Sequence, residues 1–189
     1  MEMNYEKWHD GIGYDLHALA EMTPEELKSV EAMLKGRTDW RDVEALAAIG
    51  SDDSVEALKK SLKASDPRTR IRAAEKLHEK GKLPDIDKLI AKELRSARDI
   101  SDASCVLDLA EEHDTPEVRK ALLWCAKHHD CIGPHAAGML FYFAGITDES
   151  FDWNHRPFFL RFSKDDPKDR AKAFLELCDK LKANAKSVR

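Results

Sequence analysis

The chain has 189 residues, of which 42% are hydrophobic and 35% charged, and its formal net charge is −5. This length suits one domain with a sizeable core, and the apolar content excludes a disordered chain. The acidic balance argues against binding to nucleic acid or to anionic membranes, because both depend on clustered Lys and Arg. The polar start and the lack of a long apolar run predict a cytoplasmic protein with reduced cysteines.

The first 22 residues precede the first clear helix-start signal. They include four large side chains, at Tyr5, Trp8, Tyr14 and Leu16. Large side chains ahead of the first regular helix are typical of a terminal segment that covers one end of a core. We therefore expect residues 1–22 to form an N-terminal capping segment.

Helix-start signals then recur at regular intervals. A capping side chain followed by proline opens many helices, and this pair occurs four times, at Thr23-Pro24, Asp66-Pro67, Thr115-Pro116 and Asp166-Pro167. The prolines are 43, 49 and 51 residues apart, and in the last three copies an arginine follows three residues after the proline. A repeated structural unit explains this spacing.

Between these starts, apolar residues keep the spacing of one helix face, as Leu27, Val30 and Leu34 do. No stretch alternates apolar and polar residues for long enough to predict a sheet. Several glycines stand where helices should end, and we expect them to supply left-handed C-caps: Gly36, Gly50, Gly81 and Gly145. The sequence therefore predicts an all-α fold of about nine or ten helices, joined in pairs by short turns.

The segment WCAKHHDCIGPH, residues 124–135, concentrates cysteine and histidine. A zinc site here would use Cys125, His128 or His129, Cys131 and His135 as ligands. Structural zinc sites, however, usually present two close ligand pairs separated by a loop, and Cys125 continues the apolar stripe of its helix. The other residues suit a helix end and the turn after it. We therefore predict turn chemistry, with no bound metal and no cofactor.

The segment FDWNHRPFFLRF, residues 151–162, fits the repeat pattern least. Its later phenylalanines, Phe158, Phe159 and Phe162, are expected to be buried and to seal the end of the core. The four residues before Pro157 are consecutive and cannot all face inward, and Trp and Arg are enriched at binding hot spots. The candidate partner-binding residues are Trp153, Asn154, His155, Arg156 and Arg161. We predict no catalytic residues.

Residues 51–81, SDDSVEALKKSLKASDPRTRIRAAEKLHEKG, contain the run D-P-x-x-R-x-x-A-A-x-x-L. This run resembles the HEAT-like repeats of many bacterial proteins, and the resemblance covers roughly residues 40–145. It implies a right-handed α-solenoid of helical hairpins that forms a single domain over residues 1–189, with residues 146–189 as an atypical C-terminal cap. This architecture serves many functions, so the resemblance concerns the fold more than the activity.

The C-terminal part, from GMLFYFAGI through FDWNHRPFFLRF to DRAKAFLELC, is similar to the tail of small bacterial HEAT-like proteins. Such proteins are often immunity proteins for secreted antibacterial toxins. The resemblance implies a non-catalytic, monomeric protein that binds and neutralises a cognate toxin. Because this chain is acidic, we expect that toxin to have a basic surface.

Three alternatives stay open. The first is an adaptor or scaffold that binds a peptide or a housekeeping partner. The second is a HEAT-like DNA alkylation-repair glycosylase, which uses Trp, Arg and Asp around a basic groove. Four tryptophans fit that site, although the acidic charge does not: Trp8, Trp40, Trp124 and Trp153. The third is a bilin lyase, a class with similar repeats, but no residue pattern here marks a bilin site.

Overall fold

The computed structural model describes residues 12–37, 39–163 and 166–187, and these ranges contain helices and no strands. The predicted all-α class is confirmed, with eleven α-helices in the described residues where nine or ten were predicted. The helices are α1 (His17–Ala20), α2 (Pro24–Leu34), α3 (Trp40–Ile49), α4 (Asp52–Ser61), α5 (Pro67–Glu79), α6 (Ile86–Ser96), α7 (Ile100–Glu111), α8 (Pro116–His128), α9 (Gly133–Phe143), α10 (Arg156–Phe159) and α11 (Pro167–Ser187). Short 3-10 helices span Trp153–His155 and Leu160–Ser163. Tyr5 and Trp8 of the predicted capping segment lie outside the described residues.

The predicted helix starts are confirmed at atomic detail. Thr23 and Glu26 form a capping box, in which the Thr23 N–H donates to the Glu26 carboxylate at 2.8 Å. Asp66 and Thr115 each accept a hydrogen bond from the backbone N–H three residues later, at 2.7 and 3.4 Å. Asp166 accepts in the same way, at 3.3 Å. Because these bonds satisfy the free N–H groups of a first turn, they determine where each helix begins.

The predicted left-handed helix ends are confirmed at three of four glycines. Gly50, Gly81 and Gly145 have φ angles of 70°, 65° and 68°. The expectation for Gly36 is wrong, because Gly36 is not among the residues with positive φ. There the chain leaves α2 through a tight turn, in which the Arg37 N–H donates to the Leu34 carbonyl at 3.0 Å.

The described chain divides into two compact units, Met1–Ile86 and Asp87–Arg189. In the first unit, α3 packs against α2, α4 and α5, and most of its residues are buried. The described part of the predicted N-terminal cap is attached to this helix. The Tyr14 hydroxyl donates to the Asp42 carboxylate at 2.9 Å, and Arg41 Nε donates to the Ile12 carbonyl at 2.7 Å.

In the second unit, α9 packs against α8 and against the C-terminal elements α10 and α11. Two glycines on α9 allow backbone from later in the chain to approach this helix closely. A Cβ added at Gly133 would lie 3.1 Å from the Phe162 carbonyl oxygen, and one added at Gly138 would lie 2.5 Å from the Ser150 carbonyl oxygen. None of the helices in the described ranges combines the length and apolar character needed to cross a bilayer.

Candidate functional site

The cysteine and histidine segment 124–135 forms the end of α8 and the turn into α9. Cys125 is fully buried, and its thiol donates to the Leu94 carbonyl at 3.4 Å. Burial raises the pKa of this thiol to about 12. His129 has a partner at each ring nitrogen: Nε2 lies 2.7 Å from the Ala97 carbonyl oxygen, and Nδ1 accepts the Ile132 N–H at 3.3 Å. Both side chains therefore have structural roles.

The other candidate zinc ligands of this segment point to different neighbours. The His128 ring packs on Trp124 with 5.3 Å between ring centroids, and the His135 ring packs on Phe151 at 5.0 Å. Cys131 is exposed. Within the described ranges, no three His, Cys, Asp or Glu side chains come together as a potential ligand set. The structure thus supports the turn interpretation, and the absence of bound zinc stays a prediction.

The predicted partner-binding segment begins in a capped turn. The Asp152 carboxylate accepts the Asn154 N–H at 2.8 Å and also lies 2.8 Å from His155 Nδ1. These two contacts, the backbone N–H first, lower the pKa of Asp152. Because one carboxylate contacts both the middle and the last residue of the short 3-10 helix, the backbone from 152 to 155 is restrained.

Three of the five predicted binding residues are exposed, and we refer to Trp153, Asn154 and Arg156 as the Trp153 surface. Trp153 is 71% exposed, the highest fraction among the large exposed hydrophobic side chains of the described residues. The Arg156 guanidinium carbon lies 5.3 Å from the centroid of the Trp153 ring, within the range of a cation–π contact. The two side chains therefore form one exposed patch that is both charged and aromatic.

The residues that follow Trp153 and Asn154 in the chain include several aromatic side chains that pack on one another. His155 is half-buried, and its ring makes an edge contact with Phe141 at 5.5 Å. Phe159 is fully buried and packs edge-on against Phe141 at 5.3 Å. Phe162 is also fully buried, whereas Phe158 is only partly buried. The predicted burial is therefore confirmed for Phe159 and Phe162 and holds in part for Phe158, while their role in sealing the end of the core stays a prediction.

Arg161, the fifth predicted binding residue, is engaged with α11. Its guanidinium forms ion pairs with Glu176 at 2.7 Å and with Asp169 at 3.1 Å. These two carboxylates, Glu176 first, raise the pKa of Arg161. The geometry gives Arg161 a role in attaching the second 3-10 helix to α11, beside any role in binding.

A groove of about 230 Å³, which was not predicted from the sequence, lies beside Ser150 and Phe151. We call it the α7 groove, and its lining includes Ile100, Asp108, Glu111, His135, Met139 and Phe151. Phe151 joins it to the Trp153 surface, because the Phe151 and Trp153 rings meet edge-on at 6.3 Å. In the sequence, the groove is indicated only by Asp108 and Glu111, two acidic residues about one turn apart on α7. Such a pair is equally typical of an ordinary exposed helix face.

A larger cavity, of about 630 Å³, lies between the end of α8 and the start of α11. Two of its charged lining residues have contacts in the described chain: Arg170 Nη1 forms an ion pair with Asp130, and the Lys127 amine lies 5.6 Å from the Phe174 ring centroid. Arg170 Nε is buried and has no hydrogen-bond partner among the described residues. We do not assign a ligand to this cavity.

No protein-family model matches the sequence, and searches of curated proteins and of solved structures also find no match.

Proposed function

We propose that this protein is a non-catalytic protein-binding module, and more specifically an immunity protein that binds and neutralises a cognate bacterial toxin. The observation that supports protein binding is the Trp153 surface, where an exposed tryptophan and an arginine pack on each other. Tryptophan and arginine are the residue types most enriched at binding hot spots. The monomeric state and cytoplasmic location expected from the sequence belong to the same proposal.

The contacts that hold the segment around the Trp153 surface in place favour a binding role for Trp153 over a purely structural one. Asp152 restrains the backbone, and the buried Phe159 stacks on the His155 ring with 6.1 Å between ring centroids. A rigid aromatic group loses little conformational entropy when a partner covers it, so most of the contact energy is retained as affinity. An exposed tryptophan that served only the core would leave most of its apolar surface in water.

The immunity role rests on the resemblance of the C-terminal part to small bacterial HEAT-like proteins and on the net charge of −5. An acidic protein complements a basic toxin cleft and is attracted to it during encounter. The adaptor remains the second candidate. The glycosylase is less favoured, because Trp40 is buried and the guanidinium carbons of Arg41 and Arg68 already lie 4.5 and 3.9 Å from its ring centroid, so this ring is not free to stack on a base.

Protein binding is tested by affinity purification from the native host with three baits. The baits are the wild type, Trp153→Ala and, as a control, Trp124→Ala, which removes another exposed tryptophan. We expect a single protein to be recovered in about a one-to-one ratio with the wild type and with Trp124→Ala, and to be lost with Trp153→Ala. Equal recovery by all three baits would show that the Trp153 surface does not bind the partner.

The immunity role is tested by expressing the recovered partner in a bacterial host. We expect the partner alone to stop growth and co-expression of this protein to restore it. A partner whose expression is harmless would contradict immunity and favour the adaptor.

A further inference from the structure

The lining of the α7 groove combines apolar and acidic residues, so it suits a side chain with an apolar stem and a positively charged end. Its walls include Ile100, which is 40% exposed, and the ring of Phe151. Asp108 and Glu111 lie on the same lining, and both are exposed. Neither carboxylate forms an ion pair with any residue in the described part of the chain.

The two carboxylates are placed to act together. Asp108 and Glu111 are three residues apart on α7, a spacing that brings side chains to the same face of a helix. No Lys or Arg is present in the described lining of the groove. The remaining titratable group there is His135, and burial lowers the pKa of its ring, which favours the neutral imidazole. The groove therefore has two negative charges without a resident cation.

The size of the groove suits a single side chain better than a larger ligand. Pockets that enclose small molecules or cofactors usually measure about 300–1,000 Å³, and the α7 groove measures about 230 Å³. An arginine side chain suits such a site because its methylene stem packs on apolar walls while its guanidinium reaches carboxylates. The guanidinium also has five donors in a fixed plane and stacks on aromatic rings, whereas a lysine amine is a single hydrated point charge.

We propose that the α7 groove binds the side chain of an arginine on the protein partner, with Asp108 and Glu111 pairing with its guanidinium and Phe151 flanking it. This inference rests on the proposed protein-binding function and names the chemistry of the partner at that site. The groove and the Trp153 surface share Phe151 as a neighbour, so one partner surface can contact both. In this arrangement, Asp108 and Glu111 are the acidic residues of this protein that face the basic residue of the partner.

The groove can be tested without the partner, by following the NMR signals of the Met139 methyl group and the His135 ring. The probe is N-acetyl-arginine amide, and the matched control is N-acetyl-citrulline amide, which has nearly the same shape but no charge. We expect saturable shifts with the arginine probe and none with the citrulline probe. Equal shifts from both probes, or no saturable shift from the arginine probe, would overturn the inference.

Variants identify the groups responsible. In the double variant Asp108→Asn/Glu111→Gln, we expect the arginine probe to bind at least ~10-fold more weakly, the loss typical of removing charge-assisted hydrogen bonds. The control is Glu112→Gln/Asp179→Asn, which neutralises two exposed carboxylates outside the described groove lining. Unchanged probe binding in the first double variant, or an equal loss in both, would contradict a role for Asp108 and Glu111.

The same variants separate this inference from the proposed function once the partner is purified. We expect both Trp153→Ala and Asp108→Asn/Glu111→Gln to weaken partner binding by at least ~10-fold. If only Trp153→Ala weakens it, the groove assignment is wrong and the proposed function stands. If Trp153→Ala leaves it unchanged, the proposed function is wrong at that surface, whatever the groove binds.

Discussion

Gly138 on α9 lies directly against the backbone of Ser150: a Cβ atom added to the glycine would lie 2.5 Å from the Ser150 carbonyl oxygen. The same Cβ would also lie 3.4 Å from the Phe151 ring. The loop that leads to the Trp153 surface and borders the α7 groove therefore packs directly against Gly138. Its position depends on the absence of a side chain in the middle of a helix.

Gly138→Ala is the first test of this relationship. An alanine normally stabilises a helix interior by up to ~1 kcal/mol relative to glycine. Here we expect the opposite, a loss of about 1–3 kcal/mol, because the new methyl group overpacks against backbone that cannot rotate away. Thermal and urea unfolding measure the difference. Gly36→Ala is the control, because nothing lies within 4 Å of its added Cβ, and a stabilising Gly138→Ala would contradict the close approach.

Arg156→Ala and Phe159→Ala should separate binding from folding. Arg156→Ala removes an exposed contact with the Trp153 ring, so we expect the melting transition to stay nearly unchanged and partner affinity to fall at least ~10-fold, or ~1.4 kcal/mol. Phe159→Ala removes a fully buried ring and should cost about 3–5 kcal/mol of stability. Calorimetry of the two variants and titration with the partner measure both effects. An Arg156→Ala protein that unfolds, yet binds normally per folded molecule, would make Arg156 structural.

The cysteines should react in the order of their exposure. Cys125 is fully buried with its pKa raised to about 12, whereas Cys131 is exposed. Because the thiolate is the reactive form, we expect an aromatic disulfide reagent at pH 8 to modify Cys131 first and Cys125 only after unfolding. Mass spectrometry of the labelled peptides identifies the sites. Early labelling of Cys125 in folded protein would show that the end of α8 opens readily.

Purified protein should contain no stoichiometric zinc. Cys125 and His129, two of the candidate ligands, already bond to backbone carbonyls. Structural zinc contributes folding free energy directly, so a chelator should leave the melting temperature unchanged. Elemental analysis and a melting curve with chelator measure this. One zinc ion per chain, or a chelator-dependent melting temperature, would overturn the turn interpretation.

Asp42→Asn should alter the pH dependence of stability. Burial raises the pKa of Asp42 above its ordinary 3.8. The stability that protonated Asp42 contributes is therefore fully present below pH 3.8 and is lost as the pH rises through the folded-state pKa. Asparagine does not titrate, so relative to wild type the variant should gain stability across that interval and then level off. Its lost hydrogen bond, from either Tyr14 or the Asp39 backbone, is a pH-independent offset.

Urea unfolding of wild type and Asp42→Asn between pH 3 and pH 7 gives the difference directly. A difference that stays flat, or that moves toward the wild type as the pH rises, would show that burial does not control this carboxylate.

Features set by neighbours along the chain could be predicted from sequence. The caps at Thr23, Asp66 and Thr115 were predicted, because each bond joins a side chain to backbone only three residues away. The exposure of some residues between 153 and 156 was also predicted, since four consecutive residues cannot all face inward, but the sequence did not identify which of them are exposed. The left-handed conformation predicted for Gly36 was wrong, because a helix can end in a tight turn as well as at a left-handed residue, and glycine is compatible with both endings.

The long-range partners of these residues depended on the tertiary structure. Arg161 stood beside Trp153 in the sequence as a binding residue, but α11 brings Asp169 and Glu176 to its guanidinium. The α7 groove combines Asp108, His135 and Phe151 from three separate segments. Caps and side-chain pairs along a helix reach only about one turn, and hydrophobic periodicity indicates which face of a helix is buried but not which segment covers it. Which carboxylates are paired and which face an open groove is decided by packing between distant segments, and the total charge of −5 does not contain that information.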